Sequence, residues 1–226
     1  MDQIARYAVY YAPPEGPFAF RANEWLGRDP ANGNNLPQPV LAGIGDPHGI
    51  TAEPRRYGFH GTIRAPFRLA EGVTEAAVQD CVAGLAARLA PVVCTGLQAE
   101  TLHGFVALTP LGCEAALLDL GAAVVEGTNP LRAALTEAEI ARRRPDQLSP
   151  RQRELLHRWG YPHVLEEFRF HLTLTDRLDE PEPVRAALGD FFAPVLPRPF
   201  VIGDLCLFGE DRGGRFHLLH RYALTG

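Results

Sequence analysis

Two short stretches decide the fold, Phe59-His60-Gly61-Thr62-Ile63 and Phe170-His171-Leu172-Thr173-Leu174. Each carries the pattern His-x-Thr-aliphatic behind an aromatic residue, and the two histidines lie 111 residues apart in a chain of 226. Apolar and polar residues alternate in both stretches, and this period of two is typical of a half-buried β-strand. We therefore predict one strand over about 59–67 and a second over about 169–176.

A strand presents residues i and i+2 on the same face, roughly 6.6 Å apart at about 3.3 Å per residue. His60, Thr62 and Arg64 therefore share one face of the first strand, and His171 and Thr173 share one face of the second. Histidines exchange protons near neutral pH, and hydroxyl groups can hold phosphate oxygens. The pair of motifs predicts a site that holds a phosphate and moves protons on both sides of it.

The two halves of the sequence repeat the same order of elements, a motif strand, a helix and a hairpin. These elements are predicted at about 59–67, 74–89, 93–102 and 104–109 in the first half, and at about 169–176, 182–193, 199–208 and 215–223 in the second. A strand at about 5–12 should pair with the first half. The repeated order predicts an α+β fold, a single bilobal domain with approximate lobes 1–110 and 111–226. Each lobe would contain an antiparallel sheet, with helices outside, a cleft between the lobes and a pseudo-twofold axis that reflects an internal duplication.

Helix signals also occur between the halves, where Thr136 begins a capping box and Ser149 is an N-cap followed by proline. Residues 142–158 are rich in arginine, which indicates either a solvated helix face or an arginine that reaches into the cleft. Residues 28–50 are rich in Gly, Pro and Asn and predict a long loop, which is either a lid over the site or loosely ordered.

The charge and composition narrow the range of functions. A net charge of −5 and a pI of about 5.9 argue against long nucleic acid as a partner, because it is a large polyanion. A small phosphate ester is still a possible ligand, since one local cluster of arginines suffices to bind it. All 22 basic residues are arginine. The absence of lysine from the sequence excludes a lysine nucleophile and a Walker A loop.

The sequence also suggests where the protein resides. It has no apolar run of the roughly 20 residues that a membrane span needs, and residues 1–6 do not begin a signal peptide. Cysteines occur at four scattered positions without a CxxC pair, 81, 94, 113 and 206. We expect a cytoplasmic protein with reduced, mostly buried thiols and no zinc site built from them.

The motifs resemble those of a known group. HGTI at 60–63 and HLTL at 171–174 resemble the two His-x-Thr/Ser-aliphatic motifs of the two-histidine (2H) phosphoesterase superfamily. Wider stretches resemble one branch of it, found with bacterial phosphonate-utilisation genes: 56–67, 158–175, 7–13 and 25–29. That branch often carries Lys where Arg64 stands, and the two residues are not interchangeable at a phosphate site. The resemblance implies a bilobal α+β fold and metal-independent chemistry on cyclic phosphodiesters or 2′-linked phosphoesters.

Each candidate site residue has a predicted role in such chemistry. His60 and His171 would form the acid and base pair, although the sequence does not tell which is which. Thr62 and Thr173 would donate hydrogen bonds to the phosphate oxygens, and Arg64 would neutralise charge. We expect no metal and no cofactor. Further residues could border the cleft, although core packing or a surface position explains each at least as well: Tyr10, Tyr11, Tyr57 and His163.

The leading hypothesis is a metal-independent cyclic phosphodiesterase that acts on a small sugar or nucleotide cyclic phosphate. The gene association implied by the resemblance adds ribose 1,2-cyclic phosphate as a candidate substrate. One alternative is a non-catalytic protein that binds a phosphate ligand or an RNA end. Another is a metal-dependent hydrolase with His60 and His171 as ligands, although no carboxylate adjoins either motif. The substrate, the bond that is cleaved and the oligomeric state stay open.

Overall fold

A computed structural model describes residues 4–226, in which nine strands and seven α-helices form an α+β fold. The strands are β1 Arg6–Tyr11, β2 Gly61–Phe67, β3 Val92–Cys94, β4 Gly96–Leu102, β5 Phe105–Leu111, β6 Leu172–Thr173, β7 Phe200–Ile202, β8 Asp204–Glu210 and β9 Phe216–Ala223. The helices are α1 Pro17–Leu26, α2 Ala52–Tyr57, α3 Glu75–Ala86, α4 Glu114–Thr128, α5 Glu137–Arg142, α6 Pro150–Trp159 and α7 Pro181–Phe192.

Seven strands form one antiparallel sheet in the order β4-β5-β6-β2-β1-β8-β9, and β3 pairs with β7 in a separate ladder. The predicted helix signals are confirmed. Thr74 caps α3 by accepting a hydrogen bond from the backbone N–H of Ala77 at 3.2 Å. Thr136 and Ser149 both form capping boxes, which supply partners for the first backbone N–H groups of α5 and α6.

The central strand β1 is buried on both of its faces. Tyr7, Val9 and Tyr11 contribute to the main hydrophobic core, which also contains the inward face of both motif strands. Tyr10 packs on the other face in a smaller cluster with Phe208 and other residues of the last two strands. Because both faces are covered, β1 fixes the position of the neighbouring strand β2 and therefore of the first motif.

The predicted arrangement of two sheets, one in each lobe, is corrected. Both motif strands lie side by side in the seven-stranded sheet, so the two halves of the sequence share one sheet. The hairpin β4-β5 pairs with β6, whereas β8-β9 pairs with β1 beside β2. Alternation identifies a strand and its buried face, but it carries no information about which strand lies next to it. The pseudo-twofold relation and the two lobes stay predictions.

The four cysteines were expected to be reduced, and this is wrong for one pair. Cys94 and Cys113 form a disulfide, whereas Cys81 and Cys206 are free. The antiparallel hairpin pairs Gly96 with Leu111, which returns the chain and brings the flanking cysteines together. Within residues 4–226 no helix is long and apolar enough to cross a membrane. The cytoplasmic location stays a prediction.

Candidate active site

The register between β2 and β6 assembles the two motifs. Gly61 pairs with Leu172 in an antiparallel ladder, so His60 lies beside Thr173, and Thr62 lies beside His171. All four side chains project from one face of the sheet. Direct cross-strand neighbours lie about 4.5–5.5 Å apart and diagonal neighbours about 7–8 Å apart. The two histidines therefore occupy opposite corners, with the two hydroxyls at the remaining corners.

The opposite face of this pairing is packed against the core. A Cβ atom on Gly61 would meet Cζ of Phe170 at 2.3 Å, so the absence of a side chain lets the second motif's aromatic residue pack directly beneath β2. Leu172 is fully buried. The two motifs therefore approach closely on the polar face because the residues between their His and Thr positions fit together below.

Both histidines are held by the same local contact. Nδ1 of His60 lies 2.8 Å from the carbonyl oxygen of Gly58, and Nδ1 of His171 lies 2.8 Å from that of Arg169. A carbonyl oxygen only accepts, so each Nδ1 carries the proton and each neutral ring keeps Nε2 as an acceptor. Oγ1 of Thr62 lies 3.2 Å from Nε2 of His60. The reactive nitrogen of each ring is therefore the one that its backbone contact leaves available.

Burial lowers the pKa of both histidines. Desolvation lowers the pKa of His60 to about 4, and the nearby His171 adds to the effect. The pKa of His171 is also lowered, chiefly by burial and then by His103 and His163. Both rings are therefore neutral near pH 7 in the free protein. A bound phosphate anion would favour protonation of one of them.

A cleft of about 440 Å³ opens beside the first motif. His60, Thr62 and Thr173 lie in its wall, together with Tyr10 and Tyr57. Further lining residues include Phe105, Arg143 and Tyr161. The structure thus brings three of the predicted residues into one cavity and places two of the three candidate tyrosines there, whereas Tyr11 packs in the main core.

His171 is not among the described residues that line this cavity. Its ring centroid is 5.6 Å from that of Phe105, which does line the cleft. The register beside Thr62 and its effect on the pKa of His60 place it next to the other three groups.

Arg64 occupies a different position from the one that its strand face suggested. It is only 1% exposed, and its Nη1 donates to the backbone oxygen of Trp159 at 2.8 Å. Its side chain lines an adjoining cavity of about 190 Å³, and it does not contribute to the described wall of the histidine cleft. The ladder between β1 and β2 is irregular at this point, where Val9 pairs with Arg64 and Tyr10 with Thr62, so the simple alternation of faces does not carry over from Thr62 to Arg64. The role of Arg64 in neutralising the charge of a bound phosphate stays a prediction.

Sequence reasoning left two other questions open, and missed some cleft residues. The arginine-rich segment is mostly exposed, but Arg143 does reach the cleft. Residues 28–50 contribute nothing to the described wall of the cleft, and Arg28 instead is buried and donates to the backbone oxygen of Phe216. Phe105 was missed because no motif surrounds it. Tyr161 lies in the stretch 158–175 that resembles the phosphonate branch, but the sequence assigned it no role.

Among residues 4–226, no three His, Cys, Asp or Glu side chains are grouped so that they could hold a metal ion. The histidines do have other acceptors and aromatic rings nearby. The ring of Tyr10 stacks on that of His60 with centroids 4.0 Å apart. The environment of the first motif is therefore largely aromatic.

Residues 62–217 match a family model described as "Protein of unknown function (DUF1045)". The chain belongs to the DUF1045 family. Two curated relatives share the name "Ribose 1,5-bisphosphate phosphokinase PhnN". The protein from Janthinobacterium sp. (strain Marseille) is 37% identical over 224 residues, which covers 94% of this chain and 49% of the relative. The protein from Laribacter hongkongensis (strain HLHK9) is 42% identical over 214 residues, with 92% and 49% covered. The DUF1045 chain thus spans about half the length of these relatives.

Solved structures also resemble the chain. TT0787 of Thermus thermophilus aligns with a TM-score of 0.47 and 16% identity, covering 98% of each chain. E. coli LigT, solved as a complex with ATP, aligns with a TM-score of 0.44 and 15% identity, covering 99% of each chain.

Proposed function

We propose that this DUF1045 protein is a two-histidine phosphoesterase that opens a small cyclic phosphodiester without a metal ion. One observation carries the proposal, the antiparallel register that alternates His60, Thr173, His171 and Thr62 around one point of the sheet. Each histidine has its Nδ1 tied to a backbone carbonyl, which leaves Nε2 available for proton transfer. Two such nitrogens at opposite corners suit an in-line displacement at phosphorus.

In the proposed reaction a water molecule attacks phosphorus on one side of the ring ester. Nε2 of one histidine removes the proton of the water, and the P–O bond to the opposite sugar oxygen breaks. The second histidine, protonated in the complex, gives its proton to that leaving alkoxide, so the product is an open phosphate monoester. Thr62 and Thr173 donate hydrogen bonds to the non-bridging oxygens as negative charge develops on them.

The size of the cleft favours a small substrate. A volume of about 440 Å³ with three tyrosines in its wall suits one sugar or nucleoside phosphate. The motif resemblance to the phosphonate branch and the ribose bisphosphate named for the relatives support a ribose cyclic phosphate as the first candidate. We propose ribose 1,2-cyclic phosphate, with a nucleoside 2′,3′-cyclic phosphate as the comparison substrate.

We do not assign to this chain the kinase activity that is named for the relatives. The chain spans 49% of each relative and contains no lysine, so it lacks the residue that a Walker A loop places on the phosphates. We place the kinase activity in the half of the relatives that this chain does not match.

The test is turnover by protein treated with EDTA on both cyclic phosphates, with His60→Ala and His171→Ala in parallel. The proposal expects chelator-resistant turnover that both variants lose. Loss of activity with EDTA, restored by added metal, would establish the metal-dependent alternative. Ligand binding without turnover in the wild-type protein would instead establish the non-catalytic alternative. His157→Ala, which changes an exposed histidine of α6, is the matched control and should keep full activity.

A further inference from the structure

The cavity beside the histidine cleft carries an unusual concentration of positive charge. Seven arginines lie in its wall: Arg6, Arg56, Arg64, Arg68, Arg132, Arg142 and Arg143. Glu139 is the one carboxylate among the lining residues that the structure describes. In a protein with a net charge of −5, this local excess of positive charge is not a consequence of overall composition.

Part of this charge is already balanced. Arg68 binds Glu139 through Nε and Nη2, each at 2.9 Å, and Arg6 forms a bidentate pair with Glu210. Arg132 donates to the Asn129 side chain and to backbone oxygens, which orients its guanidinium without neutralising it. The cavity therefore keeps several positive charges that its described carboxylates do not compensate.

Arg64 is the most informative of these residues. Apart from the bond of Nη1 to Trp159, its Nε and Nη2 atoms are buried and have no hydrogen-bond partner. A buried guanidinium with unsatisfied donors is costly, because desolvation is not offset by a counter-charge or by hydrogen bonds. The same cause, with the nearby Arg132 adding to it, lowers the pKa of Arg64 to about 9. An anion bound in the cavity would supply both the missing acceptors and the missing charge.

The arginine-lined cavity adjoins the histidine cleft, and the two share part of their walls. Arg6, Tyr57, Pro66, Arg143 and Tyr161 line both. Thr62 and Arg64 are two residues apart on β2, so their Cα atoms are separated by roughly 6.6 Å. A single sugar ring is of comparable width. One molecule can therefore place one phosphate between the histidines and a second against Arg64.

We propose that the arginine-lined cavity binds a terminal phosphate monoester of the same substrate whose cyclic phosphodiester lies at His60 and His171. The substrate class is thus a cyclic phosphodiester that also carries a phosphomonoester dianion. This inference rests on the proposed function. The binding energy of the terminal phosphate would hold the ring ester in place for attack, as remote substrate groups do in other enzymes.

The test compares two matched substrate pairs, ribose 1,2-cyclic phosphate and adenosine 2′,3′-cyclic phosphate, each with and without a phosphate on the 5-position. In the wild-type protein the terminal phosphate should raise kcat/KM by roughly 100-fold, the effect of about two charge-assisted hydrogen bonds. Arg64→Gln should reduce this ratio to below about tenfold. Equal kcat/KM values for the two members of each pair in the wild-type protein would overturn the proposal.

Two further variants keep the test decisive. Arg142→Gln changes an exposed arginine that lines only the arginine-lined cavity, so it should lower the same ratio even if Arg64→Gln fails to fold. An unchanged ratio in folded Arg142→Gln and Arg64→Gln would overturn the proposal. Arg153→Gln changes an exposed arginine outside the wall of either cavity and is the charge-matched control.

Calorimetric titration with ribose 5-phosphate separates this proposal from the proposed function. If no cyclic ester is turned over, binding of ribose 5-phosphate to the wild-type protein and to His60→Ala, but not to Arg142→Gln, would still support the subsite. No binding to the wild-type protein would overturn it.

Discussion

The two motif strands carry the same pattern, but the surroundings of their histidines differ. His60 adjoins a seven-residue strand, stacks on Tyr10 and lies 5.7 Å from the ring of Tyr57. His171 precedes a two-residue strand, and its pKa is lowered chiefly by burial and then by two further histidines. The backbone contact at Nδ1 is the same in both. The motif therefore fixes the tautomer, whereas the neighbours in space decide how easily each ring is protonated.

This comparison suggests which histidine acts as the base. A pKa of about 4 keeps His60 unprotonated at neutral pH, which suits removal of a proton from water. His171 would then be the acid that the bound phosphate anion helps to protonate. The largest expected effects follow from this assignment. His60→Ala and His171→Ala should each lower kcat on a cyclic phosphate by about 10²–10⁴-fold.

A phosphodiester with a 4-nitrophenol leaving group separates the two roles, because this leaving group needs no acid. We expect His171→Ala to recover most of its activity on the nitrophenyl ester, and His60→Ala to recover none. The opposite pattern, read from steady-state kcat values, would reverse the assignment.

Smaller losses are expected from the hydroxyls beside the histidines. Thr62→Val and Thr173→Val keep the shape of the side chain but remove a donor to the phosphate, which should lower kcat by about 10–10²-fold with little change in KM. Thr175→Ser is a useful control, because Thr175 is buried and its hydroxyl accepts from the Val106 N–H, a contact that serine can keep. A loss in Thr175→Ser as large as that in Thr62→Val would argue against a direct role for the hydroxyls.

The low pKa of His60 also predicts a pH dependence of stability. Its folded pKa of about 4 lies below the ordinary value of about 6.5, so between these values the unfolded chain binds more protons. The contribution of this group to the free energy of unfolding is therefore complete above about pH 6.5 and is lost as the pH falls towards 4. Relative to His60→Gln, the wild-type protein should lose about 3 kcal/mol of unfolding free energy over this range.

Urea titrations at several pH values measure this difference, and His157→Gln serves as the control. A difference between wild type and His60→Gln that does not change with pH would contradict the desolvated environment described for His60.

The smallest effect tests the packing beneath the two strands. In Gly61→Ala the new Cβ would meet the ring of Phe170, so either the ring or β6 must move. We expect a loss of about 1–3 kcal/mol of stability from this overpacking. Gly43→Ala, at a position with open space, controls for the loss of glycine, although the positive φ of Gly43 adds some strain. Thermal unfolding measures both. An unchanged stability in Gly61→Ala would mean that the two motifs approach less closely than the register indicates.

Local features of the fold were predictable from the sequence alone. The period of two identified the first motif strand and both hairpins, and the caps at Thr74, Thr136 and Ser149 marked the starts of three helices. The second motif strand was predicted too long, because the regular ladder ends at Thr173 and the next two backbone N–H groups both donate to the carbonyl oxygen of Val106. The correct predictions came from sequence signals that depend on neighbours within about four residues along the chain.

The sequence by itself determined which functional groups are present, namely two His-x-Thr motifs with arginine in place of every lysine. It also determined the face of the strand on which each motif residue lies. Tertiary structure alone decided that β2 and β6 are neighbours and that Cys94 meets Cys113. It also decided that Arg64 leaves the histidine cleft for an adjoining cavity. The physical reason is the same in each case. Side-chain periodicity is set by the local backbone geometry, whereas strand partners and burial depend on contacts between residues that are far apart in the chain.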